Sequence, residues 1–160
     1  MSLDAIREQI KTILTEAGGV ARVHDYVRLA TDWGKLLELF KTPEGNIKAV
    51  MFRRAKLDKR KTTIGGAAAE RAHEFKFIAV MGLKDDAVSG IIFDDWLDEI
   101  ERAFDEHDDL NGTCLTTQSL DWGPMAGQVG MQIGLIEERM FGNVLCHYAE
   151  MRLCALEYES

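Results

Sequence analysis

Apolar residues near the start of the chain recur at spacings of three and four. Leu3, Ile6, Ile10, Ile13, Leu14 and Ala17 fall on one side of a helical projection, with polar residues between them. Ser2 precedes the run with a hydroxyl able to accept a backbone N–H bond, and Gly18-Gly19 follows with residues suited to a left-handed helix end. The pattern predicts an amphipathic helix between these signals. Val23-His24-Asp25-Tyr26 reads as a short connection. A second helix is predicted from Thr31 as its cap, with Trp33, Leu36, Leu37 and Phe40 as its apolar face, until Pro43-Glu44-Gly45-Asn46 stops it.

The apolar period then changes from helical to alternating. Ile47 to Phe52 is mostly apolar and partly β-branched, and His73, Phe75, Phe77, Ala79, Met81 and Leu83 alternate against Glu74 and Lys76. Both stretches predict strands, and the basic stretch from Arg53 to Ala69 between them reads as a long, mobile hairpin connection. A third helix is predicted from about Ile91 to His107. Its buried stripe is Phe93, Trp96, Leu97, Ile100 and Phe104, and its outer face is acidic. Asn111-Gly112 marks a turn into a strand near Thr113 to Leu120.

Two more strands are predicted, Gln128 to Met140 and Val144 to Tyr158, with a turn at Gly142-Asn143. In the second, Leu145, His147, Ala149, Met151, Leu153 and Ala155 share a face until the phase slips near Leu156, as a bulge or sheet edge would make it. The order of elements predicts an α+β fold: a mainly antiparallel sheet of four to five strands with two to three helices packed on one face, in a single domain over residues 1–160.

Composition narrows the function classes. In 160 residues, 46% are apolar against a net charge of −8, which is a balance for folding and not for disorder. No apolar run reaches the roughly 18–20 residues that a bilayer span requires. The first residues alternate polar and apolar and carry acids, unlike a signal peptide. Cys114, Cys146 and Cys154 are odd in number and widely spaced, which suits buried thiols in a reducing, cytosolic compartment better than a disulfide framework.

The residues that usually carry chemistry do not assemble into a motif. His24 beside Asp25 suits a turn or helix-entry hydrogen bond. His73 and His147 lie on apolar strand faces as core histidines, and His107 sits at a helix C-terminus, where a cation complements the dipole. None has the spacing of a zinc site. Cys146 and His147 are adjacent on a strand and therefore point to opposite faces. Gly65-Gly66 lacks the lysine and helix start of a phosphate loop. The acids from Asp94 to Asp109 lack the alternating ligand spacing of a calcium loop and suit a solvated helix face. No catalytic residue, cofactor or metal site is expected, and the chain reads as a structural or assembly protein and not an enzyme.

One stretch departs from this background. Arg53, Arg54, Lys56, Lys59, Arg60 and Lys61 are opposed only by Asp58. They form either a solvated hairpin or a positive prong that meets an acidic partner surface or nucleic-acid phosphates. Stacking aromatics are absent from the prong, so sequence-specific nucleic-acid recognition is not expected.

Two segments resemble a known family when taken with the order of elements. They are Val23-His24-Asp25-Tyr26 with Thr31-Asp32-Trp33 and Leu36-Leu37-Glu38-Leu39-Phe40, and Arg139-Met140-Phe141-Gly142-Asn143-Val144-Leu145-Cys146-His147-Tyr148-Ala149-Glu150. The chain resembles the tail-terminator (tail-completion, neck) proteins of tailed bacteriophages and prophages. The resemblance implies an α+β subunit that forms a ring, commonly a hexamer, on the end of the tail tube. Such a ring ends tube polymerisation and offers the docking surface for head–tail connector proteins. It also implies a place in the host cytoplasm during assembly and then in the virion tail. Its partners would be other copies of itself, the tail tube protein and the connector, with no membrane. The alternative is a small bacterial adaptor or regulatory module that binds one partner through the basic loop 53–61. A ring needs two different patches that meet around a closed rotation. The basic stretch could meet the acidic third helix of a neighbour or face another protein, and both alternatives stay open in the sequence.

Overall fold

The computed structural model describes residues 2–19, 21–26, 33–61, 68–83, 88–118 and 120–159, the side chains of 33–36 excepted. In chain order the elements are α1 (Leu3–Glu16), β1 (Arg22–His24), α2 (Trp33–Phe40), β2 (Lys48–Lys61), β3 (Ala69–Gly82), α3 (Val88–Glu106), β4 (Gln132–Phe141) and β5 (Val144–Glu159). The strands form one five-stranded sheet in the order β1-β2-β3-β5-β4. Only the β1–β2 pair is parallel, so the fold is the expected α+β arrangement on a mostly antiparallel sheet.

Each helix forms where its sequence signals lie. The Ser2 hydroxyl accepts the Ala5 N–H at 3.1 Å, which satisfies one of the free donors of the first turn of α1. The helix ends at Ala17, and Gly18 follows at φ +71°. On α3, Phe93, Trp96, Leu97, Ile100 and Phe104 are all buried, as the periodicity predicts. Thr31, the expected cap of α2, lies outside the described residues.

α1 and α3 pack side by side on one face of the sheet, here the front. Ile6, Ile10, Phe93, Trp96 and Ile100 meet Phe52, Phe75, Phe77, Met151 and Leu153 in the main core. α2 belongs to the back face, where Phe40 packs with Met51, Val80, Phe141 and Tyr148. A tie on the front links three elements. Lys48 of β2 donates to the Gly18 carbonyl at 2.8 Å while its ammonium sits 4.9 Å from the centre of the Trp96 ring. Burial lowers the Lys48 pKa, and Glu99 opposes that shift.

Four sequence expectations are corrected. Val23 and His24 do not merely connect: with Arg22 they form β1, parallel to Ala49–Met51 of β2. Residues 53–61 are not a loop, because β2 continues through Lys61 and pairs with β3 as far as Lys61↔Ala69. Charged residues stand on both faces there, so no apolar alternation marks the strand.

The third correction concerns Thr113 to Leu120, where the described residues form no strand beyond an isolated bridge, Thr116↔Leu156. Threonine hydroxyls fold this stretch onto itself: Thr113 donates to the Leu110 carbonyl, Thr117 to the Asp108 carbonyl, and Thr116 accepts the Gln118 N–H. Finally, the β3–β5 ladder runs through Leu156 without a shift. The phase slips there because Cys154 and Leu156 are covered on the back face by Leu120 and Met125. The bulges of the sheet lie at Arg54/Lys56 and Ile133/Leu135.

Candidate interaction surface

Among the described residues, and apart from the three-residue β1, the sheet leaves two margins unpaired at diagonally opposite corners. β1 covers β2 only at Ala49–Met51, which leaves the outer half of β2 as a free edge. β4 is the other edge strand along its whole length. Exposed strand edges offer unpaired N–H and C=O groups, and proteins restrain them with lysines, bulges and charge. The outer half of β2 carries all three features.

The register divides the six basic residues between the two faces. Arg54, Lys59 and Lys61 stand opposite Phe75, Arg71 and Ala69 on the front side, and Arg53, Lys56 and Arg60 stand opposite Lys76, Glu74 and Glu70 on the back. Several already have partners. Arg60 donates to Glu70 at 2.7 Å and lies over the Trp122 ring at 4.5 Å. Lys59 lies 3.8 Å from Glu159, and Lys56 lies 3.8 Å from Asp58. Such exposed pairs add little stability individually, about 0–1 kcal/mol. The predicted mobile prong is therefore a paired, charge-laced strand.

Arg54 turns inward to a buried polar group that the sequence pattern did not reveal. Its guanidinium donates to His73 Nδ1 at 3.4 Å, which leaves His73 Nε2–H to donate to Glu157 at 2.6 Å. His73 is fully buried, and burial foremost lowers its pKa, with Glu157 opposing and Arg71 and Arg54 reinforcing the shift. Burial favours the neutral imidazole, and the Arg54 contact at Nδ1 places its proton on Nε2. This group caps the outer end of the core and ties β2, β3 and β5 together. The sequence places His73 in the core as observed; the Arg54 and Glu157 partners depend on strand register, which composition does not give.

The opposite corner is acidic and apolar. Ile136 and Met140 of β4 are each 52% exposed, because α3 packs over β3 and β5 and stops short of the edge strand. Between the start of α3 and β4 lies a cleft of about 440 Å³ lined by Gly90, Ile91, Asp94, Ile136, Glu138 and His147, among others. Ile91 is 61% exposed beside it. Further along α3, burial and then the neighbouring carboxylates Asp105 and Asp98 raise the Glu101 pKa. Like charges crowd this side of the helix. A signal for this patch was available in the sequence: Ile91 and Ile92 precede Phe93 directly, so they cannot all lie on one helical stripe.

The remaining candidates for chemistry have structural partners. His24 Nε2 donates to the Leu39 carbonyl at 2.8 Å and joins β1 to α2. His147 bonds to the Ser89 hydroxyl at 3.0 Å through Nε2 and stacks on Phe93, with ring centres 5.2 Å apart. No carboxylate among the described residues bonds to His147. Cys146 packs in the back cluster while His147 faces the front, as strand alternation requires. Among the described residues, no three of His, Cys, Asp and Glu converge to hold a metal ion, and no helix is long and apolar enough to cross a membrane. The chain matches no protein-family model and no curated protein sequence.

Proposed function

We propose that this protein is a structural virion assembly subunit of the tail-terminator type: copies form a ring, hexameric by the family resemblance, that caps a phage tail tube. One observation carries the reading. The sheet ends in two margins of opposite character, a basic edge at β2 and an acidic, apolar edge at β4, while His24, His73, His147 and the three cysteines are engaged in packing. Two unlike patches on one subunit suit a heterologous contact that closes into a ring. The partners in this reading are the subunit itself, the tail tube protein and the head–tail connector, and the places are the host cytoplasm during assembly and then the virion tail.

The test is tube polymerisation. Genes for tail-tube and sheath proteins are expected beside its own, and the purified protein should stop growth of the tube protein they encode. Tube lengths measured by electron microscopy should become short and uniform when the protein is added. Tubes that grow to the same broad lengths with and without it would refute the reading.

A further inference from the structure

The two sheet margins belong to one contact. Resting on the ring reading above, we infer that the outer half of β2 in one copy docks against the β4 edge and adjoining side of α3 in the next. The occupant of each surface is thus a second copy of this chain.

Three observations support this pairing over others. Charge comes first. Residues 53–61 hold six cations in a chain whose net charge is −8; Lys56, Lys59 and Arg60 have Asp58, Glu159 and Glu70 beside them, while Arg53 and Lys61 form no ion pair among the described residues. The facing surface presents Asp94, Asp98 and Glu138, all exposed. Within one subunit these surfaces lie at opposite corners of the sheet and cannot neutralise each other. Contact between copies is the arrangement that brings them together.

Exclusion comes second. Two β2 edges repel each other, as do two acidic β4 corners, so the self-complementary dimer that either edge might form alone is disfavoured. The lysines and the bulge at Arg54/Lys56 guard β2 against indiscriminate strand pairing. An acidic margin is the surface that this guard admits.

The third observation is apolar. Ile136, Met140 and Ile91 are exposed beside the acids, and the long aliphatic stems of lysine and arginine are suited to cover such residues while their charged heads reach carboxylates. The acids set orientation and encounter rate, and the covered apolar surface adds affinity.

Two charge-reversed chains test the contact. One carries Arg53→Glu, Lys59→Glu and Lys61→Glu; the other carries Asp94→Lys, Asp98→Lys and Glu138→Lys. Arg54 and Arg60 are left in place because they bond His73 and Glu70. Thermal unfolding first checks that both variants fold. Sedimentation then measures association of concentrated protein at low salt, where charge steering is strongest. The wild-type chain should self-associate, and each variant alone should do so at least about tenfold more weakly. An equimolar mixture of the two variants should recover association, because copies that alternate restore opposite charges at every contact. Wild-type association that survives both reversals, or a mixture that stays dissociated, would overturn this contact while leaving the ring reading to the tube-length assay. A wild-type chain that remains monomeric in concentrated, low-salt solution would also overturn it.

Discussion

Gly18 offers the sharpest test of how the helices seat on the sheet. It ends α1 at φ +71°, and a Cβ built on it would stand 2.4 Å from Cδ1 of the buried Trp96 ring. The indole cannot retreat easily, because it is buried in the main core and covered by Lys48, which also holds the Gly18 carbonyl. Gly18→Ala therefore carries two costs: a left-handed residue with a Cβ, about 1–2 kcal/mol, and overpacking against a fixed ring, about 1–3 kcal/mol. Gly45→Ala is the internal control, since Gly45 has φ +86° and nothing within 4 Å of the added carbon. It carries the first cost alone. Denaturant unfolding of the two variants should show Gly18→Ala to be the less stable by about 1–3 kcal/mol. At roughly 2–4 °C per kcal/mol for a chain of this size, melting temperatures should separate in the same order. Equal losses for the two variants would refute the close approach of Gly18 to Trp96, and with it the seating of α1 against α3.

Further outcomes follow from the core and its polar cap. Trp96→Ala should cost about 3–5 kcal/mol in chemical denaturation, since it empties a large site between α3 and the sheet. Burial pushes the thiols of Cys114 and Cys154 up to about 12 and that of Cys146 up to about 11, so native protein at pH 8 should not react with a thiol-disulfide dye until denaturant is added. The His73 pKa is lowered from its ordinary 6.5, so the unfolded chain takes up the proton first as pH falls. Its contribution to stability is complete above about pH 6.5 and lost as pH drops from there toward the folded value, so His73→Gln should flatten the stability profile over that range.

Much of the fold was legible because apolar periodicity and end signals agree with it. α1, with Ser2 at one end and Gly18 at the other, could be read directly, as could the α3 stripe from Phe93 to Phe104 and the alternation of β3 and β5. What escaped the sequence lay where periodicity was carried by charge or overruled by side-chain hydrogen bonds. β2 continues past Phe52 with cations on both faces, of which Lys56 and Arg60 face Glu74 and Glu70 across the ladder, a pattern that resembles a solvated loop until its partner strand is known. Thr113, Thr116 and Thr117 have strand propensity, yet their hydroxyls serve local backbone groups. β1 is three residues long and is defined by its parallel neighbour more than by its own composition. The basic residues were legible as a charged stretch. Of the acidic and apolar margin of β4, only the Ile91-Ile92 signal was legible, because the rest depends on where β4 lies beside α3.

The position of β5 governs how this chain comes to fold. It follows every other described element in sequence, yet it lies inside the sheet, where it is the only strand joining β3 to β4. Its ladder with β3 pairs Gly82 with Cys146 and Ala69 with Glu159, so closing it brings together residues far apart along the chain. Loop-closure entropy must be met before those contacts form, and topologies of this kind fold slowly. A nascent chain that has emerged only as far as β4 has α1, α3 and the β2–β3 hairpin available, but the front core lacks Met151 and Leu153 and β4 has no partner. Folding is therefore held back until synthesis has passed β5, and the two margins come into fixed relation only when that strand is in place.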